Sequence, residues 1–433
     1  MRQQGKAGVS AARWFGLVVA GLVAAVDLAG CSSTATGSGA TSPSLTVPSA
    51  ATASANSSLE PAVTPVVTPP ASPAPLTFVA TGSMHTARRY ATATLLKNGK
   101  VLIAGGDTGG NARTIYASAE LYDPATGKFS KTGSMTSART WASASLLADG
   151  RVLIAGGDGC SDPRKCIGAG SGPGGWDTLA SAEIYDPAKG SFSAAGSMTT
   201  KRNGATETVL PDGRVLIADR STTADLYDPS SGKFTRVAKQ GAYTDGPAVL
   251  LPNGKVLVVG ASLTGDGSGA YKPFASLFDT ANGKFTTIPF SFPAAPSSVT
   301  PDLHPTSATL LKSGRALVFV NGYLETYDPS TGACADAGRL PSEGQWYSAA
   351  AVSLVDGRVL FVGGAILDPT NGAEVATKTA VVYDPTDESM RQGSLRTARY
   401  EATTTLLPDG SVLIAGGRGT DGNELASAEL FKP

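Results

Sequence analysis

The chain has 433 residues, with 35 basic and 35 acidic side chains and a formal net charge of zero. This balance gives no electrostatic case for a nucleic-acid partner, and helix-type heptads are absent. The length permits a large core, and the four cysteines are too sparse to act as a disulfide scaffold.

At the N-terminus, Arg2, Lys6 and Arg13 precede an apolar run of 13 residues, Trp14–Val26. That length suits a signal peptide and falls short of a membrane-spanning helix. The following Leu28-Ala29-Gly30-Cys31 resembles the bacterial lipobox. The resemblance implies that residues 1–30 are a lipoprotein signal peptide and that Cys31 carries a diacylglyceryl thioether. A second, amino-terminal acyl chain would make the anchor firm, because two chains hold where one is marginal. Residues 31–75 then form a tether rich in Ser, Thr, Ala and Pro with almost no charge. Such a segment spans on the order of 35–40 Å as a coil and up to ~140 Å extended.

From residue 76 onward one phrase recurs seven times. Asn98–Gly106 reads as a turn, an apolar strand and a Gly-Gly pair, and it returns at Asp149–Gly157, Asp212–Arg220, Asn253–Ala261, Ser313–Asn321, Asp356–Gly364 and Asp409–Gly417. The turn glycines are spaced by 51, 63, 41, 60, 43 and 53 residues, a period that marks propeller blades. A second phrase follows each copy, clearest as Ala119-Glu120-Leu121-Tyr122-Asp123-Pro124. Its aromatics are Tyr122, Tyr185, Tyr227, Phe278, Tyr327, Tyr383 and Phe431. In the first six copies a residue seven positions further on is Phe129, Phe192, Phe234, Phe285, Cys334 or Met390. The Asp-Pro-Ala-Thr-Gly-Lys turn between them suits a tight hairpin.

The combined Gly-Gly, Tyr-Asp-Pro and Gly-Ser-Met pattern over residues 76–433 resembles the kelch repeat family. The resemblance implies an all-β fold, a seven-bladed kelch-type β-propeller of four-stranded antiparallel blades, with strands a to d running outward from a central channel. The expected blades are 86–135, 137–198, 200–240, 243–290, 303–340, 346–395 and 397–433 plus 76–84. The last repeat stops after its c strand, and Leu76–Met84 aligns with the d-strand segment Lys128–Met135. The N-terminal strand is therefore expected to pair into the last blade as its d strand and close the ring, leaving no open edge.

One face of such a ring carries uniform a–b and c–d turns. The other carries b–c loops whose intervals are 16, 28, 7, 17, 6, 19 and 14 residues, and varied loops on a rigid scaffold are where ligands bind. Counting eleven back from each turn glycine places Arg88, Arg139, Arg202, Tyr243, Leu303, Trp346 and Arg399 in the d–a loops of that face. Arg89, Tyr90, Trp141, His304, Tyr347 and Tyr400 follow directly. Arginine forks suit carboxylates and aromatic faces suit stacking. An arginine here also belongs to the kelch pattern and could serve only the scaffold; the off-pattern Tyr243, His304, Trp346 and Tyr347 stand out as ligand residues. Cys160 and Cys166 share one loop, where a disulfide is expected in an exported protein, with two free thiols as the alternative. Cys334 takes the place of a d-strand Phe and is expected to be buried.

The sequence holds two histidines, His85 and His304, and no nucleophile elbow. The expectation is a binding or scaffold module rather than an enzyme, with no cofactor and no metal. It would act as a monomer, lipid-anchored to the cell membrane and facing the cell surface or periplasm. Its partner would be an envelope protein or glycan. The alternatives are a kelch-type mutarotase or isomerase acting on an acidic sugar, with Glu343, Glu401 or His304 moving a proton, and a copper-radical oxidase.

Overall fold

A computed structural model describes residues 75–433 apart from 110–112, 161–176, 220, 238–245, 264–270, 289, 291–304, 321, 342–345, 369 and 371. Cys31, Cys166, Tyr243 and His304, and with them the leader and tether, lie outside the described residues. The described residues form an all-β structure containing seven four-stranded antiparallel sheets. The first sheet is built from Thr92–Leu95, Val101–Ala104, Ala119–Asp123 and Lys128–Lys131 in that order. In the last, Thr403–Leu406, Val412–Ala415 and Ala428–Lys432 are joined at the outer edge by Thr77–Ala80, with Phe78 opposite Phe431. Each innermost strand packs against that of the next sheet, and Thr403–Leu406 packs against Thr92–Leu95.

The second strand of each sheet reads as a continuous apolar run because both of its faces are covered. Val101, Leu102, Ile103 and Ala104 are all buried. Leu102 and Ala104 pack with Val152 and Ile154 of the next sheet, while Val101 and Ile103 pack with Leu413 and Ala415 of the previous one. Full burial of one such side chain stabilises by about 1.5–3 kcal/mol. The constant seven-residue interval sets aromatic against aromatic across the third and fourth strands. Tyr122 faces Phe129 with ring centroids 4.9 Å apart, and Tyr185 faces Phe192 at 4.8 Å. Cys334 faces Tyr327 in the fifth sheet, but it is half-buried rather than buried as the sequence suggests. It sits on an edge strand whose outer side is open.

The Gly-Gly pair marks a place where two sheets come too close for a side chain. Gly105 and Gly106 have φ of +70° and +89°. A Cβ would lie 2.4 Å from the Arg139 carbonyl oxygen at Gly105 and 2.5 Å from the Arg89 carbonyl oxygen at Gly106. The approach lets the Gly106 N–H donate to the Arg139 carbonyl at 2.9 Å, joining the first sheet to the second. The same bond recurs from Gly157 to Arg202, Gly364 to Arg399 and Gly417 to Arg88.

Beyond the Gly-Gly pair the chain builds a second tier on the loop face. Asp158–Cys160 pairs with Ala138–Thr140 and Asp177–Thr178, and Ala365–Leu367 pairs with Trp346–Tyr347 and Glu374–Ala376. In the fourth sheet the two central strands lengthen instead, to Lys255–Leu263 and Tyr271–Asp279. The irregular b–c intervals of the sequence are these extensions. Cys160 is disulfide-bonded.

Candidate functional site at the loop face

The repeat arginines are buried, which corrects their assignment as ligand forks. Arg88, Arg139, Arg202 and Arg399 are each no more than 1% exposed. Each is held inside its own sheet by a carboxylate two residues before the third-strand aromatic. The pairs are Arg88–Glu120 at 3.1 Å, Arg139–Glu183 at 2.8 Å, Arg202–Asp225 at 2.7 Å and Arg399–Glu429 at 3.1 Å. Arg88, Arg139 and Arg399 also donate to the carbonyl of the first glycine of the pair, at 2.6–2.9 Å. The carboxylates in turn accept amides of the incoming loop, as Glu183 does from Thr136 and Ser137 at 2.8 and 3.0 Å. The unit therefore clips the connection between sheets. Burial pulls the pKa of Arg88, Arg139 and Arg399 down, and the paired glutamates oppose it.

Trp346 is corrected on the same ground: it is fully buried. It replaces the arginine, and its indole Nε1–H donates to the Gly363 carbonyl just as the Arg88 guanidinium donates to that of Gly105. The acid position of that sheet is Val381, which packs in one cluster with Trp346 and Phe319. A charged pair has become an apolar one, and neither member is left alone. Tyr400 is also buried, at 3%, packed against Ala365 and Ala376, and is not presented to a ligand. Tyr347 lies in the short strand Trp346–Tyr347 of the second tier.

Arg89, Tyr90 and Trp141 are brought together, Arg89 over the Tyr90 ring and Tyr90 against Trp141. In five repeats the residue two beyond the repeat arginine position is left-handed: Tyr90 at φ +50°, Trp141 at +57°, Gly204 at +61°, Ser348 at +51° and Glu401 at +58°. Non-glycine residues in this region cost on the order of 1 kcal/mol or more each and persist where the surroundings enforce them. A belt of main-chain bonds does so here. Tyr90 N–H donates to the Glu401 carbonyl, Trp141 N–H to that of Tyr90, and Gly204 N–H to that of Trp141, at 3.4, 3.3 and 2.9 Å. The belt sets the Tyr90 and Trp141 side chains against each other. The Tyr90 and Trp141 rings lie 4.2 Å apart, and Trp141 remains 37% exposed.

A polar network backs this aromatic shelf. The Tyr90 hydroxyl donates to Glu401, which also accepts from Arg89 at 2.8 Å. Arg89 donates to Asp107 at 3.0 Å and lies over the Tyr90 ring at 4.9 Å. Asp107 accepts further bonds from Arg113 at 2.9 Å and from Thr140 of the next sheet at 2.8 Å. Asp158 is held by Asn203 and Thr178 in the same manner. Burial, then the Tyr90 and Arg89 contacts acting against it, leave the Glu401 carboxyl above its ordinary range. Burial and Glu401 push the Tyr90 hydroxyl up.

Two acids escape a reading by motif. Glu207 takes a place on the innermost strand that is Ala93, Ala144, Ala248, Ala308, Ala351 or Thr404 in the other copies. Its Oε1 accepts from Ser143 at 2.8 Å, its Oε2 is buried without a partner, and burial pushes it up to about 7. Glu325, in the strand Tyr323–Tyr327, is 3% exposed. Glu207 is an exception within its own column, whereas Glu325 stands out only when the acid column is paired with the loop column, where its repeat has Leu303. On the opposite, uniform face a cleft of about 590 Å³ lies between the fifth and sixth sheets, lined by Lys312, Asp356, Arg358 and Asp384.

Comparisons with known proteins bear on these features. The kelch motif matches residues 88–136. An F-box/kelch-repeat protein of Arabidopsis thaliana is 36% identical over 83 residues, 19% of this chain, and the match spans only 21% of that relative's length. Among solved structures, a fungal alcohol oxidase in complex with copper superposes with a TM-score of 0.55 at 17% identity, covering 82% of this chain and 76% of the oxidase. YjhT superposes with a TM-score of 0.49 at 13% identity, covering 80% of this chain and 96% of YjhT. The likeness to an oxidase corrects the expectation of a protein without catalysis. The framework shared with that enzyme is not reserved for binding, and the exclusion does not stand. With its kelch motif at residues 88–136, its recurrent Gly-Gly and Tyr-Asp-Pro phrases and its four-stranded antiparallel sheets, the chain is similar to kelch-repeat proteins.

Proposed function

We propose that the loop face of this propeller is a binding face for an envelope glycan, presented outside the cytoplasm on a tether lipidated at Cys31. The observation that carries the reading is Trp141, held left-handed at the rim, stacked on Tyr90 and more than a third exposed. A large aromatic side chain left open at a backbone-strained position is costly for a scaffold alone. The network of Arg89, Asp107 and Glu401 behind it supplies polar groups to fix a ligand's orientation.

The test uses the full-length chain in detergent and its Trp141→Ala variant, each exposed to solubilised envelope, with retained glycans and proteins identified by mass spectrometry. A glycan held by the parent chain alone, with equal melting temperatures for both, is the expected result. Retention of a protein instead, equal retention by both, or a collapsed melting temperature in the variant would overturn the assignment.

Turnover at the same face is a second reading, favoured by one pair of residues. Glu401 is buried, its carboxyl held above the ordinary range, and hydrogen-bonded to the Tyr90 hydroxyl. A carboxyl tuned upward beside a hydroxyl is suited to proton transfer. Loss of sugar turnover in Glu401→Gln with ligand retention intact would support it.

A further inference from the structure

The belt of left-handed residues sets the side chains of successive sheets one against the next. Glu401 accepts from the Tyr90 hydroxyl, and the Tyr90 ring lies against Trp141 with centroids 4.2 Å apart. Tyr90 leads into the first sheet and Trp141 into the second, so the third sheet holds the next position of this row, and there the chain has Gly204. Its backbone keeps the form of the row. Its φ is +61°, and its N–H donates to the Trp141 carbonyl at 2.9 Å, as the Trp141 N–H donates to that of Tyr90 at 3.3 Å. Only the side chain is missing.

Neither conformation nor crowding demands a glycine here. Tyr90, Trp141, Ser348 and Glu401 hold the same left-handed form with side chains attached. At Gly105 and Gly106 a Cβ would run into a carbonyl oxygen, whereas at Gly204 it would meet a single atom within 4 Å among the described residues, Trp141 Cε3 at 3.6 Å, an ordinary van der Waals contact. The glycine therefore leaves room beside an indole that is already 37% exposed, on its side toward the third sheet.

The charges around this place are matched. Asp158 accepts from Asn203 and from Thr178, and Lys201 pairs with Asp177. Arg89 is bound to Asp107 and Glu401, and Arg113 to Asp107. An acidic ligand finds no uncommitted guanidinium among these groups, and a cationic one finds no uncommitted carboxylate.

We infer, resting on the glycan-binding reading of the loop face, that a neutral pyranose ring takes the place left by Gly204 and lies on Trp141 as the next member of the row. The apolar C–H face of such a ring suits the indole face, and its hydroxyls need hydrogen-bond partners rather than a counter-charge. Asn203, next to Gly204, gives its amide N–H to Asp158 and keeps its side-chain oxygen for a donor. Gly204 is then a specificity-determining residue, because any large side chain there would occupy the ligand's position.

The experiment is calorimetry of the full-length chain in detergent with neutral trimers of glucose, mannose and N-acetylglucosamine and with a trimer of galacturonic acid, on the parent, Gly204→Ala and Gly204→Tyr. The two variants share the backbone cost of replacing a glycine at positive φ, so the difference between them reads the filled place alone. One neutral trimer should bind the parent at least about tenfold more tightly than the acidic trimer, Gly204→Ala should stay within about threefold of the parent, and Gly204→Tyr should lose about tenfold or more, the order of one stacked ring. Acrylamide quenching, with Trp141→Phe as reference, should show the Trp141 indole less accessible in Gly204→Tyr. If Gly204→Tyr does not fold, Gly204→Asn, whose residue type the left-handed region tolerates, is the blocking variant. Equal binding by the parent and the blocking variant, preference for the acidic trimer, or no neutral trimer bound would overturn the inference. Loss of binding in Trp141→Ala with full binding in Gly204→Tyr would overturn it alone, and full binding in both would remove the glycan reading of Trp141 as well.

Discussion

The comparison between Arg139 and Trp346 yields a quantitative test of what the repeat arginine does. In Arg139→Met, Glu183 keeps the amides of Thr136 and Ser137 but loses its cation, and the carbonyls of Gly156 and Ser181 lose donors now at 2.9 and 3.0 Å. Breaking one side of a buried pair costs about 3–5 kcal/mol, and the pair here is essentially closed to water, with both side chains at most 2% exposed. Removing both charges in Arg139→Met/Glu183→Leu imitates the sixth sheet, where Trp346 meets Val381. The remaining cost is then the unpaired amides and carbonyls, about 1–3 kcal/mol in total if water reaches the exposed Thr136. A double-mutant cycle by urea denaturation should therefore show the double variant more stable than Arg139→Met by about 2 kcal/mol, the difference between the two costs, and the losses of the two single variants should not add. Additive losses, or an Arg139→Met variant within about 1 kcal/mol of the parent, would refute the clip as described.

The remaining predictions concern glycine and acid positions. Gly106→Ala should destabilise by several kcal/mol, because its Cβ meets the Arg89 carbonyl oxygen at 2.5 Å, while Gly213→Ala, at φ +85° with nothing within 4 Å, should cost only about 1–2 kcal/mol of backbone strain; similar losses by denaturation would show that inter-sheet approach is not the constraint. Glu207 has a folded pKa raised to about 7 from 4.5, so the folded state holds the proton longer than the unfolded chain. Its contribution is complete below the unfolded value and is lost as pH rises from about 4.5 to 7, by at most about 3 kcal/mol. No charged side chain lies on Ser143–Leu146, Val215–Ala218 or Ala248–Leu250, the strands packed against it. Glu207→Gln should flatten that part of the pH–stability curve and be more stable than the parent at pH 8; an unchanged slope would place the titration elsewhere.

The sheets were legible because each repeat restates a local backbone demand: a turn glycine, a doubly buried strand, a close approach at Gly105-Gly106 and a hairpin that sets Tyr122 against Phe129. The loop face was legible as a place, from the uneven b–c intervals, but less so as a set of residues. Arg88 and its equivalents sit in loops by sequence, yet their partners lie 23 to 44 residues on in the third strand, and only pairing the two columns would have shown that they point inward. Trp346 looked like a ligand residue for the same reason, since its companion Val381 is unremarkable when read alone. The left-handed backbone of Tyr90 and Trp141 has no sequence signal, because neither residue type favours it; the constraint comes from neighbouring sheets through main-chain bonds.

The last sheet has a consequence for the order in which the molecule is made. Thr77–Ala80 is among the first strands of the ring to be synthesised, and its partner Ala428–Lys432 lies more than 350 residues further along the chain. Until that partner arrives, the early strand has no sheet to join, and the growing arc exposes apolar sides at both ends. Pairings so distant in sequence are slow to form and leave intermediates prone to association. A polypeptide of this design completes the sheet only once Ala428–Lys432 is available to Thr77–Ala80, which makes the interval before that pairing the time of greatest exposure to proteases and to other copies of itself.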